Sequence, residues 1–156
     1  MRTYQSSSSE KTKALGGRTA KKAKRLAQSA RRKNAVVIGL IGDLGSGKTT
    51  FTQGFLRGFG VKKRITSPTF VLIKRYNIPK KPIPYTLYPI IHHMDSYRLN
   101  DHRHLETLDF KKIITDPRNI VLIEWAEKIK KALPKDTFWI RFRHGKKENE
   151  RKISFK

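Results

Sequence analysis

Cysteine is absent from this chain of 156 residues. That excludes disulfides, thiolate chemistry and cysteine-ligated zinc at once, and it fits a reducing compartment. No apolar run reaches the ~18 residues that a membrane-spanning helix needs, so no membrane association is expected and a cytoplasmic location is. Acids are scarce: 12 Asp and Glu stand against 36 Lys and Arg, for a net charge of +24. Such a surface meets RNA, DNA or an acidic partner, or is a lysine-rich solvated face with no specific partner. The charge is spread along the chain, and net charge speaks to association and not to fold. His92, His93, His102 and His104 match no zinc-ligand spacing such as H-E-x-x-H.

What is present is a phosphate-binding loop pattern. Gly42-Asp43-Leu44-Gly45-Ser46-Gly47-Lys48-Thr49 fits G-x-x-x-x-G-K-[S/T]. Residues 35–41 in front form a short apolar run of the kind that makes a strand buried on both faces. Behind the loop, Phe51, Phe55 and Phe59 recur on one helical face, and Gly60 supplies a stop. Strand, glycine loop and helix give the pattern its physical meaning. Loop amides point inward at an anion, and the helix N-terminus adds partial positive charge. Lys48 reaches the β- and γ-phosphates, and the Thr49 hydroxyl ligates Mg²⁺. The competing reading is a glycine-rich turn with a surface lysine.

The length suits one domain over residues 1–156. Residues 1–33 hold eleven Lys or Arg and one acid, Glu10. A transit peptide and a disordered basic arm both fit that composition. A helix is preferred: Ser8 or Ser9 caps it, and Leu15, Thr19, Ala23, Leu26, Ala27 and Ala30 form a weak stripe, with Gly16 and Gly17 against it. Phe70 to Ile73 and Leu87 to Met94 read as strands of a hairpin, joined by a loop marked by Pro79, Pro82 and Pro84. Residues 101–114 look helical, Asn119 to Ile123 form a strand, and Ala126 to Leu133 form a helix stopped by Pro134. A C-terminal hairpin pairs residues 137–143 with 151–155. The expected fold is α/β: a P-loop NTPase-like sheet in three layers, flanked by helices and carrying antiparallel hairpins.

With so few acids, the search for a metal-binding carboxylate is short. Glu124 follows the apolar run 120–123, and Asp95 follows the strand ending at Met94. Both therefore stand at strand C-terminal ends, where open α/β sheets bind ligands. A helix cap or a surface ion pair is the plain alternative for each. Asp43 reads as structural within the loop. Arg98 either neutralises developing charge or pairs with a helix acid. Thr66, Ser67 and Thr69 form either a γ-phosphate-sensing loop or an ordinary proline turn. Trp125 packs on a nucleotide or a partner, or more ordinarily in the core.

Four segments in order carry a resemblance: residues 42–51, 66–70, 93–99 and 122–127. Together they resemble the bacterial TsaE family (formerly YjeE), small P-loop ATPases needed for threonylcarbamoyladenosine in tRNA. The resemblance extends to residues 9–16, which look like that family's first helix. It implies an ATP site formed by Gly42 through Thr50, with Lys48, Asp95 and Glu124 as the catalytic set. Mg²⁺ is then held by Thr49 and Glu124, and the adenine side is closed near Ser9. It also implies partners, the threonylcarbamoyl transferase and its paralogous companion subunit, which ATP hydrolysis resets between rounds. Three departures stand out: Ser46 for the usual alanine, Asp109 where the family usually has glycine, and a more basic, proline-elaborated chain with room for tRNA contact. A small-molecule or nucleotide kinase shares the loop but needs an acceptor site. A GTPase lacks support because no Asn-Lys-x-Asp motif occurs. A basic RNA-binding module that merely holds a nucleotide is the non-enzymatic rival.

Overall fold

The computed structural model describes residues 2–29, 32–68, 72–78, 90–99 and 105–156. Ten regular elements follow in chain order: β1 (Arg2–Ser6), α1 (Ser9–Ala27), β2 (Val36–Ile41), α2 (Lys48–Gly58), β3 (Ile73–Asn77), β4 (Ile90–Asp95), α3 (Phe110–Thr115), β5 (Asn119–Glu124), β6 (Phe138–His144) and β7 (Arg151–Phe155). A 3-10 helix spans Ala126–Ala132. The strands form one sheet in the order β1-β7-β6-β2-β5-β4-β3. Its centre, β6-β2-β5-β4, is parallel, and both flanks are antiparallel. The fold is thus a three-layer α/β arrangement, as the sequence predicts.

Alternation along the strands divides the core in two. Val36, Ile38 and Leu40 face the α1–α2 layer with Phe51, Phe55, Leu122 and Phe142. Val37, Val121 and Ile123 face the layer of α3 and the 3-10 helix, with Phe110 and Ile129. Successive strand residues point to opposite faces, so a strand buried on both sides needs apolar residues at nearly every position. Phe51 and Phe55 are fully buried and Phe59 nearly so, which bears out the helical stripe. Each contributes about 1.5–3 kcal/mol by leaving water.

Helix α1 forms as expected, with Ser8 as its N-cap: the Lys11 N–H donates to Ser8 Oγ. Its buried stripe is Thr12, Leu15, Gly16, Ala20 and Ala23. Thr19 and Leu26 are only partly buried, and Ala30 lies outside the described residues. The glycines are the point of closest approach between α1 and α2. A Cβ on Gly16 would stand 2.2 Å from the Phe51 carbonyl oxygen, and one on Gly54 would stand 2.0 Å from that of Lys13.

Other expectations shift at the edges. Strand β1 is absent from the sequence reading, because its exposed residues show no apolar alternation. The hairpin exists as β3 and β4, and β3 runs over Ile73–Asn77, beginning where the expected strand ends. Phe70, Val71, the prolines at 79, 82 and 84, and residues 87–89 lie outside the described residues. Of the helix expected over 101–114, residues 101–104 lie outside the described residues, turns occupy 105–109, and α3 runs over Phe110–Thr115. Asp109 is the reason for the late start: its φ of 51° breaks the helix there. The segment after Glu124 is a 3-10 helix with a kink at Ile129. No helix among the described residues is long and apolar enough to cross a membrane.

Candidate functional site

Strand β2 ends at Ile41, and the chain turns through the glycine loop into α2. Gly42 has φ 146° and Gly47 has φ 98°. A Cβ on Gly42 would also meet the Phe142 carbonyl oxygen at 2.4 Å, so this turn admits no side chain. Gly47 is the N-cap of α2 and offers no side-chain acceptor. The first amides of α2 therefore keep their donors for a bound anion. Residues Leu44 to Thr50 line a cleft of about 380 Å³ together with Ser67, Asp95, Tyr97, Glu124 and Trp125.

The two carboxylates arrive there by strand register. Asp95 and Glu124 are Cα partners on the parallel strands β4 and β5, and Leu40 of β2 is the partner of Glu124 on the other side. Both acids are almost wholly buried. Glu124 is held on both oxygens: Thr49 Oγ1 donates to Oε2 at 2.7 Å, and His93 Nε2 donates to Oε1 at 2.9 Å. The His93 Nδ1 has no partner among the described residues. Asp95 is held as firmly. Its Oδ1 accepts the Tyr97 N–H at 2.9 Å, and its Oδ2 accepts the Ser67 hydroxyl.

Lys48 is buried within the loop. Its Nζ donates to the carbonyl oxygens of Gly42 at 2.6 Å and Asp43 at 2.8 Å. It also stands 3.8 Å from the Trp125 ring centroid, close enough for a cation–π attraction. Burial pushes its pKa below the usual lysine value, while Glu124, Glu127, Asp95 and Asp43 pull it back up. Trp125 reaches this position because its φ of 58° turns the chain sharply after β5.

The donor set suits a magnesium nucleotide. Among the described residues the amides that open α2 are unpaired and the buried Ser46 hydroxyl has no partner, and an alcohol and a carboxylate already meet at Thr49 and Glu124. Hard oxygen ligands of this kind fit Mg²⁺, which takes one or two protein groups and completes its shell with phosphate and water.

Of the sequence-predicted residues, Leu44, Gly45, Ser46, Gly47, Lys48, Thr49, Thr50, Asp95 and Glu124 come together at the cleft. Gly42 and Asp43 lie beneath it and accept from Lys48. Ser9 is exposed at the start of α1, bonded to Glu10, and is not among the lining residues. Ser67 reaches the cleft; Thr66 accepts instead from Lys74, and Thr69 lies outside the described residues. Arg98 is exposed and does not line the cleft. No cluster of three potential metal-binding His, Cys, Asp or Glu occurs among the described residues. Sequence reasoning missed the part played by His93 and Tyr97. The signal for His93 was available: in a strand ending at Asp95, the residue two positions earlier shares its face.

A family model described as "Threonylcarbamoyl adenosine biosynthesis protein TsaE" matches residues 6–153. The tRNA threonylcarbamoyladenosine biosynthesis protein TsaE of Bacillus subtilis is 38% identical over 119 residues, covering 76% of this chain and 68% of that protein. Its namesake from Haemophilus influenzae is 41% identical over 100 residues, covering 64% of this chain and 58% of that protein. Among solved structures, one titled "Crystal structure of Bacillus subtilus YdiB" superposes with a TM-score of 0.69 at 30% identity, covering 99% of this chain and 83% of that one.

Proposed function

The chain belongs to the TsaE family, and from that premise we propose that it is a Mg²⁺-dependent ATPase serving threonylcarbamoyladenosine modification of tRNA. The whole of residues 1–156 acts as one ATPase domain in this reading. The observation that carries it is the meeting of Lys48, Thr49, Asp95 and Glu124 around one cleft at the C-terminal ends of β2, β4 and β5. Two carboxylates, an alcohol and an ammonium beside unpaired helix amides are the groups that a triphosphate and its metal require.

The roles divide as follows. The loop amides and Lys48 neutralise the β- and γ-phosphates, which requires Lys48 to exchange the Gly42 and Asp43 carbonyls for phosphate oxygens. Thr49 and Glu124 would hold Mg²⁺, which would supply positive charge against the phosphate oxygens. Asp95 orients the attacking water, and its bond to Ser67 ties the 66–68 segment to the state of the γ-phosphate. Ser9 stands on the adenine side, one turn before Thr12, whose methyl carbon is 3.8 Å from where a Cβ on Gly47 would be. The partners are the threonylcarbamoyl transferase and its companion subunit, and hydrolysis resets that complex between rounds. A cytoplasmic location follows from this role.

Steady-state hydrolysis tests the reading. ATP and Mg²⁺ alone are expected to yield ADP and phosphate slowly. Lys48→Ala and Glu124→Gln each lower turnover on the order of a hundredfold or more, and Asp95→Ala lowers it strongly. Normal turnover in Glu124→Gln removes Glu124 from the metal site. Strict dependence on an added acceptor replaces the hydrolase with a kinase. Co-purification with the transferase, strengthened by a non-hydrolysable ATP analogue, tests the partnership.

A further inference from the structure

The three strands β6, β7 and β1 have one face packed on the helical layer and one face open. Register and alternation fix what the open face carries. Arg143 pairs with Lys152, which pairs with Gln5. One step along, Arg141 pairs with Ser154, which pairs with Thr3. Alternation continues to Lys156, whose N–H donates to the Trp139 carbonyl oxygen at 2.9 Å. Arg141, Arg143, Lys152, Lys156, Gln5 and Thr3 are all exposed. The Thr3 and Ser154 hydroxyls meet at 3.0 Å. None of these positions is acidic, and Arg141, Arg143 and Lys152 form no ion pair among the described residues. On the opposite face the same strands bury Ile140, Phe142 and Ile153.

We propose that this open face of β6, β7 and β1 binds the phosphate backbone of RNA. Phosphate contacts need Arg and Lys supported by hydroxyl and amide donors, with no apolar anchor. The rows supply four cations, two hydroxyls and one amide. A protein partner needs a desolvated apolar or aromatic centre; Tyr4 lies on the other side of the sheet against Phe155, and Trp139, which shares this face with Arg141, is already half-buried against the core that holds Ala126 and Ile129. Strand β6 ends beside the nucleotide loop: His144, which shares the opposite face with Phe142, donates through Nε2 to the Leu44 carbonyl oxygen at 3.1 Å, one residue beyond Arg143. The inference needs no ATP turnover.

The test measures binding of an unmodified tRNA transcript by fluorescence anisotropy over a range of salt. One variant carries Arg141→Gln, Arg143→Gln and Lys152→Gln. Its control carries Lys21→Gln, Lys24→Gln and Arg25→Gln on the exposed side of α1, with the same change in charge. The sheet variant is expected to lose about tenfold or more in affinity near 0.1 M salt, and its log–log salt slope should shrink by about 3. The α1 control should change much less. Equal losses in both variants would reduce the effect to diffuse charge and overturn the proposal. So would displacement of the RNA by polyglutamate at equal charge, which would assign the face to acidic protein. Acetylation footprinting of the unaltered protein covers the case of a variant that does not fold. RNA should shield Lys152 and Lys156 while Lys21 and Lys24 stay reactive, and the reverse pattern sinks the proposal. ATP binding measured on the same samples separates this outcome from failure of the ATPase reading.

Discussion

Glu124 cannot turn without breaking one of two bonds, because Thr49 and His93 occupy its two oxygens. His93 touches neither the loop nor the cleft surface, so it acts on the carboxylate's position. Truncating it leaves a buried carboxylate oxygen without its donor, which costs about 1–3 kcal/mol. His93→Ala is therefore expected to lower the melting temperature and turnover together. His93→Gln restores an N–H donor at similar reach and should recover most of both. Melting curves beside kcat and KM check this; identical behaviour of the two variants would show that the imidazole merely fills space. Asp109 teaches a related lesson. The family resemblance flagged it as a departure from glycine, and its φ of 51° supplies the physical reason, since glycine enters that region most easily.

At the scale of elements, the contact between α1 and α2 is set by what is missing from Gly16 and Gly54. Gly54→Ala must push α1 away, and overpacking of this kind costs about 1–3 kcal/mol. Gly17 is the control. A Cβ there would lie 3.6 Å from the Gly54 carbonyl oxygen, an ordinary contact. Gly17→Ala should be neutral or stabilising by up to about 1 kcal/mol through helix propensity. Denaturant titration of the pair checks both signs. The sequence reading scored Gly16 and Gly17 as helix-weakening because intrinsic propensity is local, while close approach belongs to two helices at once. The same limit hid β1, which is defined by pairing with β7 and not by its own pattern. By contrast the loop, β2, the α2 stripe, β5 and both strand-end acids were legible, since each leaves a signal within a few residues. The bond of Ser67 was not, because it joins segments remote in the chain, and for His93 only the shared face with Asp95 could be read, not its partner.

For the whole molecule, acid removes stability through groups that the fold holds away from their ordinary pKa. Burial, reinforced by the Arg75 charge and opposed by Asn119 and Asp116, keeps the His92 imidazole below its usual range. The Arg118 hydrogen bond keeps the Asp116 carboxyl below its own. In both cases the unfolded chain binds more protons than the native one, so stability rises with pH. The His92 contribution is complete above about pH 6.5 and is lost as pH falls toward its lowered native value, at no more than about 1.4 kcal/mol per unit. Asp116 adds its loss below the ordinary aspartate value. Melting temperature should therefore decline from pH 7 to pH 5, and His92→Leu should flatten that decline. A slope unchanged in the variant would assign the decline to other groups.

The register that makes Asp95 and Glu124 partners has one more effect. Their separation is gauged by the backbone ladder of β4 and β5 and not by side-chain packing. A slip of one residue would carry Asp95 about 3.3 Å along the strand and swing it to the far side of the sheet. Drift in the surrounding side chains leaves that gauge untouched, whereas a single insertion or deletion within either strand resets it.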